Sequence, residues 1–165
     1  MLYSAGALLL VLGGALKVVD PSGTVGAMRA LGLPVRGGVV RVLAGAELAI
    51  GALALAVTSA VVAALVAVSY AVFAAVVIAA LWRDLPIDSC GCLGRLETPP
   101  SLRHAFVVVA ALVGAVAETV DPSASLLERL GDDGAAGVLF AVSTVVLTGV
   151  AVLVMRPGRR PSVPR

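Results

Sequence analysis

The sequence predicts an all-α integral membrane bundle of about five transmembrane helices with short interfacial helices, and three observations carry that prediction. Hydrophobic residues make up 60% of the 165 positions and charged residues only 13%, against about 25% charged in a typical soluble domain. Mean hydropathy is +1.08. The apolar residues also fall into five runs long enough, at about 1.5 Å of helix rise per residue, to cross a hydrocarbon layer about 30 Å thick. Aromatics are only 4% and glycines number 18, a composition suited to close small-residue contacts between membrane helices. The net charge of +2 resides in loops and a tail beside apolar spans, where orientation in the bilayer accounts for it and nucleic-acid binding is excluded.

The first span covers about residues 2–19 and ends at Lys17 and Asp20. Met1, Leu2 and Tyr3 lead into it without a basic n-region, so it is expected to be retained. Pro21, Gly23, Gly32, Pro34 and Gly37-Gly38 then mark an irregular stretch. Its middle, Val25, Met28 and Leu31 with Arg29 opposite, predicts a short helix at the membrane surface. From Gly38 to Trp82 the chain is apolar except for Arg41 and Glu47, too long for one crossing. It must fold back, and Thr58-Ser59 is the most polar point near the middle. The second and third spans are therefore set at 39–57 and 60–82, joined by a tight hairpin.

A polar loop follows from Arg83 to Pro100. Thr98-Pro99-Pro100-Ser101 is expected to supply a cap and early prolines for the fourth span, 102–120. Asp121-Pro122-Ser123 stops that span and is expected to start a short amphipathic helix, Leu126, Leu127 and Leu130 against Glu128 and Arg129. A fifth span covers 135–155. These elements form one transmembrane domain, 1–155, followed by a disordered basic tail, 156–165, with three prolines and four arginines. Lys17-x-x-Asp20-Pro21-Ser22 and Glu118-x-x-Asp121-Pro122-Ser123 echo each other, because Asp-Pro-Ser is a good helix stop and restart.

With five spans and the N-terminus outside, every Lys and Arg except Arg129 falls on the inner side. The positive-inside rule thus predicts an N-out, C-in protein with the Arg83–Pro100 loop at the cytoplasmic face.

Only two cysteines are present, which excludes a scaffold of several disulfides and leaves one local pair, Cys90 and Cys92. Residues two apart in an extended chain lie near or beyond the roughly 6.8 Å upper limit of disulfide Cα spacing, so closure requires a turn at Gly91. A ring that small is strained, and strained disulfides exchange readily. Arg83, Arg95, Arg103 and His104 lie near in sequence and are suited to stabilising a thiolate. Two other readings stand beside thiol redox chemistry: inert small apolar residues, and a metal site drawing on Cys90, Cys92, Asp88 and His104. The one-residue spacing departs from ordinary zinc pairs, and no metal or other cofactor is expected.

Glu47 lies inside the second span. A carboxylate at mid-bilayer costs on the order of 2.5 to 3.5 kcal/mol, so Glu47 is expected to face the bundle, paired with Lys17 or Arg41 or protonated. A structural ion pair locking the first two spans and a role in proton or substrate handling are both open readings. His104, one turn into the fourth span, either snorkels to the interface or takes a proton as a thiol ionises.

The order Lys17-x-x-Asp20-Pro21, Glu47, Cys90-Gly91-Cys92-Leu93-Gly94 and Arg103 resembles the methylamine-utilisation protein MauE family, related to DoxX-type membrane proteins. The resemblance covers about Leu2 to Val120. Leu93 stands where that motif often has an aromatic residue. What the resemblance implies is a bacterial inner-membrane, redox-associated protein of methylamine metabolism. Such a protein works with a thioredoxin-like partner in the maturation of a disulfide-rich or modified exported enzyme, methylamine dehydrogenase being the type case. On that reading Cys90 and Cys92 carry thiol-disulfide exchange, supported by Gly91, Gly94, Arg95, Arg103, His104, Glu47, Lys17 and Asp20. The rival expectation is a noncatalytic membrane assembly or chaperone subunit, whose polar residues only hold helices together.

Overall fold

The computed structural model describes residues 1–83, 99–132 and 134–155. Regular structure among the described residues is helical: α1 (Leu2–Val19), α2 (Ser22–Ala30), α3 (Gly37–Ala56), α4 (Ala60–Trp82), α5 (Leu102–Val120), α6 (Leu126–Asp132) and α7 (Ala135–Met155). Of these, α1, α3, α4, α5 and α7 are long and apolar enough to span a membrane. Their outer faces expose large aliphatic side chains such as Val42, Val61, Leu139 and Leu153, which suits contact with lipid and not with water.

The helix ends follow local chemistry. Val57 and Ser59 are extended, and the Ser59 hydroxyl accepts the Val62 N–H at 3.5 Å. A polar cap thus breaks the long apolar stretch without glycine or proline. Two expected starts differ. Asp121 ends α5, but α6 begins three residues after Ser123, where Ser125 and Glu128 form a reciprocal capping box. The Glu128 N–H donates to Ser125 Oγ at 3.3 Å and the Ser125 N–H to Glu128 Oε2 at 2.8 Å. The prolines near α5 sit before its cap, Ser101, rather than in its first turn. The two Asp-Pro-Ser stretches also differ. Ser22 N–H bonds Asp20 Oδ1 at 3.0 Å, whereas Ser123 N–H and hydroxyl both bond Glu118 Oε1, at 2.6 and 2.7 Å.

Helix α1 lies at the centre of the bundle, against α3, α5 and α7, while α4 packs chiefly on α5. Glycine makes the α1–α3 contact possible. A Cβ at Gly14 would lie 2.7 Å from the Ala44 carbonyl oxygen, and one at Gly51 would lie 2.8 Å from that of Ala7. These contacts run the two helices antiparallel at backbone distance, where any larger residue collides. The main core joins Tyr3, Ala7 and Leu10 to Ala54, Val66, Tyr70, Val108 and Ala111. Helix α2 joins through Ala27, which clusters with Ala80 of α4.

The C-terminal ends of α1 and α4, the N-terminal ends of α3 and α5, and α2 therefore share one end of the bundle. Arg29, Arg36, Arg41, Arg83 and Arg103 belong to that end by their positions on these elements. The opposite end is tied by the α3–α4 turn, whose Thr58 hydroxyl donates to Glu128 Oε2 at 2.5 Å and accepts the Ser125 N–H at 2.9 Å.

Candidate functional site

Lys17 occupies the last turn of α1. Side chains on a helix lean toward its N-terminus, and Lys17 leans into the bundle, where it is only 2% exposed. Its ammonium forms an ion pair with Oε2 of Glu47 on α3 and lies 4.6 Å from the ring centroid of Phe73 on α4. Tyr70, one turn earlier, meets Phe73 edge to face at 5.8 Å and donates its hydroxyl to the Gly6 carbonyl at 2.6 Å. The pair is thus neutral overall, and the electron-rich ring face offsets part of the lost hydration of the cation.

A small cavity of about 20 Å³ adjoins this cluster, with Leu9, Leu10, Gly13, Val107, Val108 and Met155 completing its walls. That is space for about one water molecule. Arg41, the other expected partner for Glu47, stays on the exposed surface and donates from Nε to the Val18 carbonyl at 3.2 Å, satisfying the end of α1. Asp20 caps the turn between α1 and α2 by accepting the Ser22 N–H.

His104 is 1% exposed on the inner face of α5, in the stripe that continues to Val108, Ala111 and Ala115. It does not snorkel. Its Nδ1 lies 2.8 Å from Ser101 Oγ, with donor and acceptor set by the tautomer. Its Nε2 is buried and has no hydrogen-bond partner among the described residues, which is unusual for a native polar group. Arg103 beside it is exposed.

Cys90, Gly91, Cys92, Gly94 and Arg95 lie outside the described residues, as does Asp88. The segment carrying them joins the end of α4 to the start of α5, so both its attachments are at the Lys17 end of the bundle. Among the described residues no group of three or more His, Cys, Asp or Glu side chains converges as a metal site would require.

The structure brings Lys17 and Glu47 together and adds Tyr70 and Phe73, which sequence reading passed over. Their available signal was modest: two of the few aromatics in the chain, three residues apart and so on one face of an otherwise aliphatic helix.

A family model described as Methylamine utilisation protein MauE matches residues 1–117, from α1 through most of α5. No curated protein and no solved structure matches the chain.

Proposed function

The chain belongs to the MauE family of methylamine-utilisation proteins, and from that premise we propose that it is a membrane-embedded thiol-disulfide redox protein assisting maturation of a partner enzyme. The observation that carries the reading is Cys90-Gly91-Cys92-Leu93-Gly94, two thiols across one glycine within the family-matching stretch. In the reduced state a thiolate of the pair attacks the disulfide of a thioredoxin-like partner and forms a mixed disulfide. The second cysteine then displaces the partner's sulfur. Two electrons and two protons leave the pair as its S–S bond forms, and the partner is released as a dithiol. Running in reverse, the same exchange oxidises the partner.

Arginines favour the thiolate in either direction. Arg83 closes α4 and Arg103 opens α5 on the two sides of the segment, and positive charge lowers a thiol pKa. The same basic end supports a bacterial inner-membrane orientation with the N-terminus outside and this end inside. A second reading, a noncatalytic assembly subunit, is favoured by the Lys17–Glu47 pair, which joins α1 to α3 as a structural lock would.

The two readings part on reversible oxidation. Cys90 and Cys92 are labelled with a membrane-impermeant thiol reagent in intact and opened cells, before and after mild reduction. The redox reading expects a pair that reduces under mild conditions and loses function when both cysteines become serine. A pair that never oxidises, with function intact in the double serine variant, refutes it. Labelling only in opened cells is expected from the orientation, and labelling in intact cells reverses it.

A further inference from the structure

A second opening runs beside the Lys17–Glu47 cavity. It is a groove of about 180 Å³ between α1, α5 and α7, lined by apolar residues including Gly6, Leu9, Phe106, Val107, Ala110 and Ala151. Leu9 and Val107 line both spaces. The two are therefore neighbours across that shared wall: an all-apolar slot on the lipid side of the helices lies next to a small chamber holding a buried ion pair. For scale, an engineered apolar cavity of roughly 150 Å³ accepts benzene. The wider groove across α1 and α7, at Leu8, Leu12 and Thr148, has no charged residue in its wall and lacks this polar end.

We propose that the two neighbouring spaces together bind a lipid-soluble quinone, with its ring in the groove and one ring carbonyl passing between Leu9 and Val107 to the Lys17 ammonium. Three features select that chemistry. Lys17 carries three N–H bonds, and its ammonium stands between the Glu47 carboxylate, as an ion pair, and the Phe73 ring face, so it retains donor capacity for a further acceptor. The ion pair is neutral, so it offers a donor without the excess positive charge that would select a phosphate or carboxylate. The chamber admits about one oxygen-sized group, which suits a carbonyl and excludes a phospholipid head. The third wall comes from α7, which lies outside the family-matching residues 1–117.

The role rests on the thiol-disulfide reading. When the Cys90–Cys92 dithiol closes to a disulfide, it releases two electrons and two protons. A quinone takes up both, its two C=O groups becoming C–OH. The site thus supplies a membrane-phase acceptor that regenerates the oxidised pair.

The test uses the full chain in phosphatidylcholine nanodiscs and an azido-decylbenzoquinone photoprobe, with adducts mapped by mass spectrometry. Adducts are expected on the α1–α5–α7 groove, competed by decylbenzoquinone and not by decylbenzene. Ala110→Phe, which fills the slot away from the ion pair, should abolish them. The paired change Lys17→Met with Glu47→Gln removes both charges and avoids leaving one buried alone. It should weaken binding about tenfold or more, the scale of a lost hydrogen bond to a charged donor. The Cys90→Ser/Cys92→Ser protein should bind as wild type, so binding is judged apart from the thiols. Equal competition by decylbenzene, adducts spread over all lipid-facing surfaces, or undiminished binding in the Lys17/Glu47 variant would each overturn the site. Quinone bound with this specificity by a protein whose thiols never oxidise would uphold the site and refute the thiol reading.

Discussion

Replacing Glu47 is expected to destabilise the bundle in a graded order that depends on what is left facing Lys17. Lys17 is 2% exposed, so its charge has little access to solvent when its partner is lost. Breaking a buried pair by removing one member costs about 3–5 kcal/mol. Against that, the Phe73 face at 4.6 Å supplies up to about 2 kcal/mol of cation–π attraction that survives the change. Glu47→Gln, whose amide oxygen still accepts from the ammonium, should therefore cost about 1–3 kcal/mol. Glu47→Lys instead places two ammonium groups together, with repulsion of about 4 kcal/mol at 4 Å and an effective dielectric constant of about 20. Added to the lost attraction, that is comparable with the whole stability of many domains, about 5–15 kcal/mol, and the variant should fail to accumulate. Lys17→Met combined with Glu47→Leu removes both desolvated charges and should fall near wild type. Reversible unfolding in mixed micelles, run as a double-mutant cycle, reads the coupling directly. A coupling within about 0.5 kcal/mol of zero, or equal expression of the Gln and Lys variants, would refute the argument that the pair is buried and mutually dependent.

Other expectations follow from particular contacts. Gly14→Ala and Gly51→Ala should each separate α1 from α3 and cost about 1–3 kcal/mol, because the new methyl meets backbone atoms under 3 Å away. Gly45→Ala, which meets open space, is the control, and equal loss of unfolding midpoint in all three would refute the packing argument. Tyr70→Phe deletes the buried bond to Gly6 and should lower stability by about 1 kcal/mol in the same assay, with no change expected if the hydroxyl is idle. The Thr58 hydroxyl, followed by the Ser125 N–H, holds the Glu128 carboxyl below its ordinary value of 4.5. A depressed carboxylate stabilises the fold above its unfolded value and loses that contribution as pH falls through the folded one. Acidification below about pH 4.5 should therefore loosen the start of α6, read by NMR of the Ser125–Glu128 amides. Glu128→Gln should abolish that pH dependence, and its persistence would refute the cap.

The five spans and most of their ends were fixed by the chain's own chemistry. A bilayer demands long uninterrupted apolar helices with satisfied backbones, and hydropathy reports that demand residue by residue. Even the hairpin at Thr58-Ser59, with neither glycine nor proline to mark it, was legible because a hydroxyl pair is the natural place to cap a restarted helix. The finer starts were not. Whether α6 begins at Ser123 or Leu126 depends on Thr58, distant in sequence, accepting the Ser125 N–H. The family, too, was readable from the ordered motifs of the first 117 residues. Tertiary structure alone decided which partner Glu47 takes, because Lys17 and Arg41 are both within reach in sequence and only the inward lean of Lys17 separates them. It also placed Phe73 under the ammonium and made His104 an inner-face residue. Finally, it set the groove between α1, α5 and α7 beside the ion pair. In spans so uniformly apolar, periodicity hardly distinguishes the lipid-facing side from the bundle-facing side. Glycines and their backbone neighbours set the rotation of each helix, and that information exists only between helices.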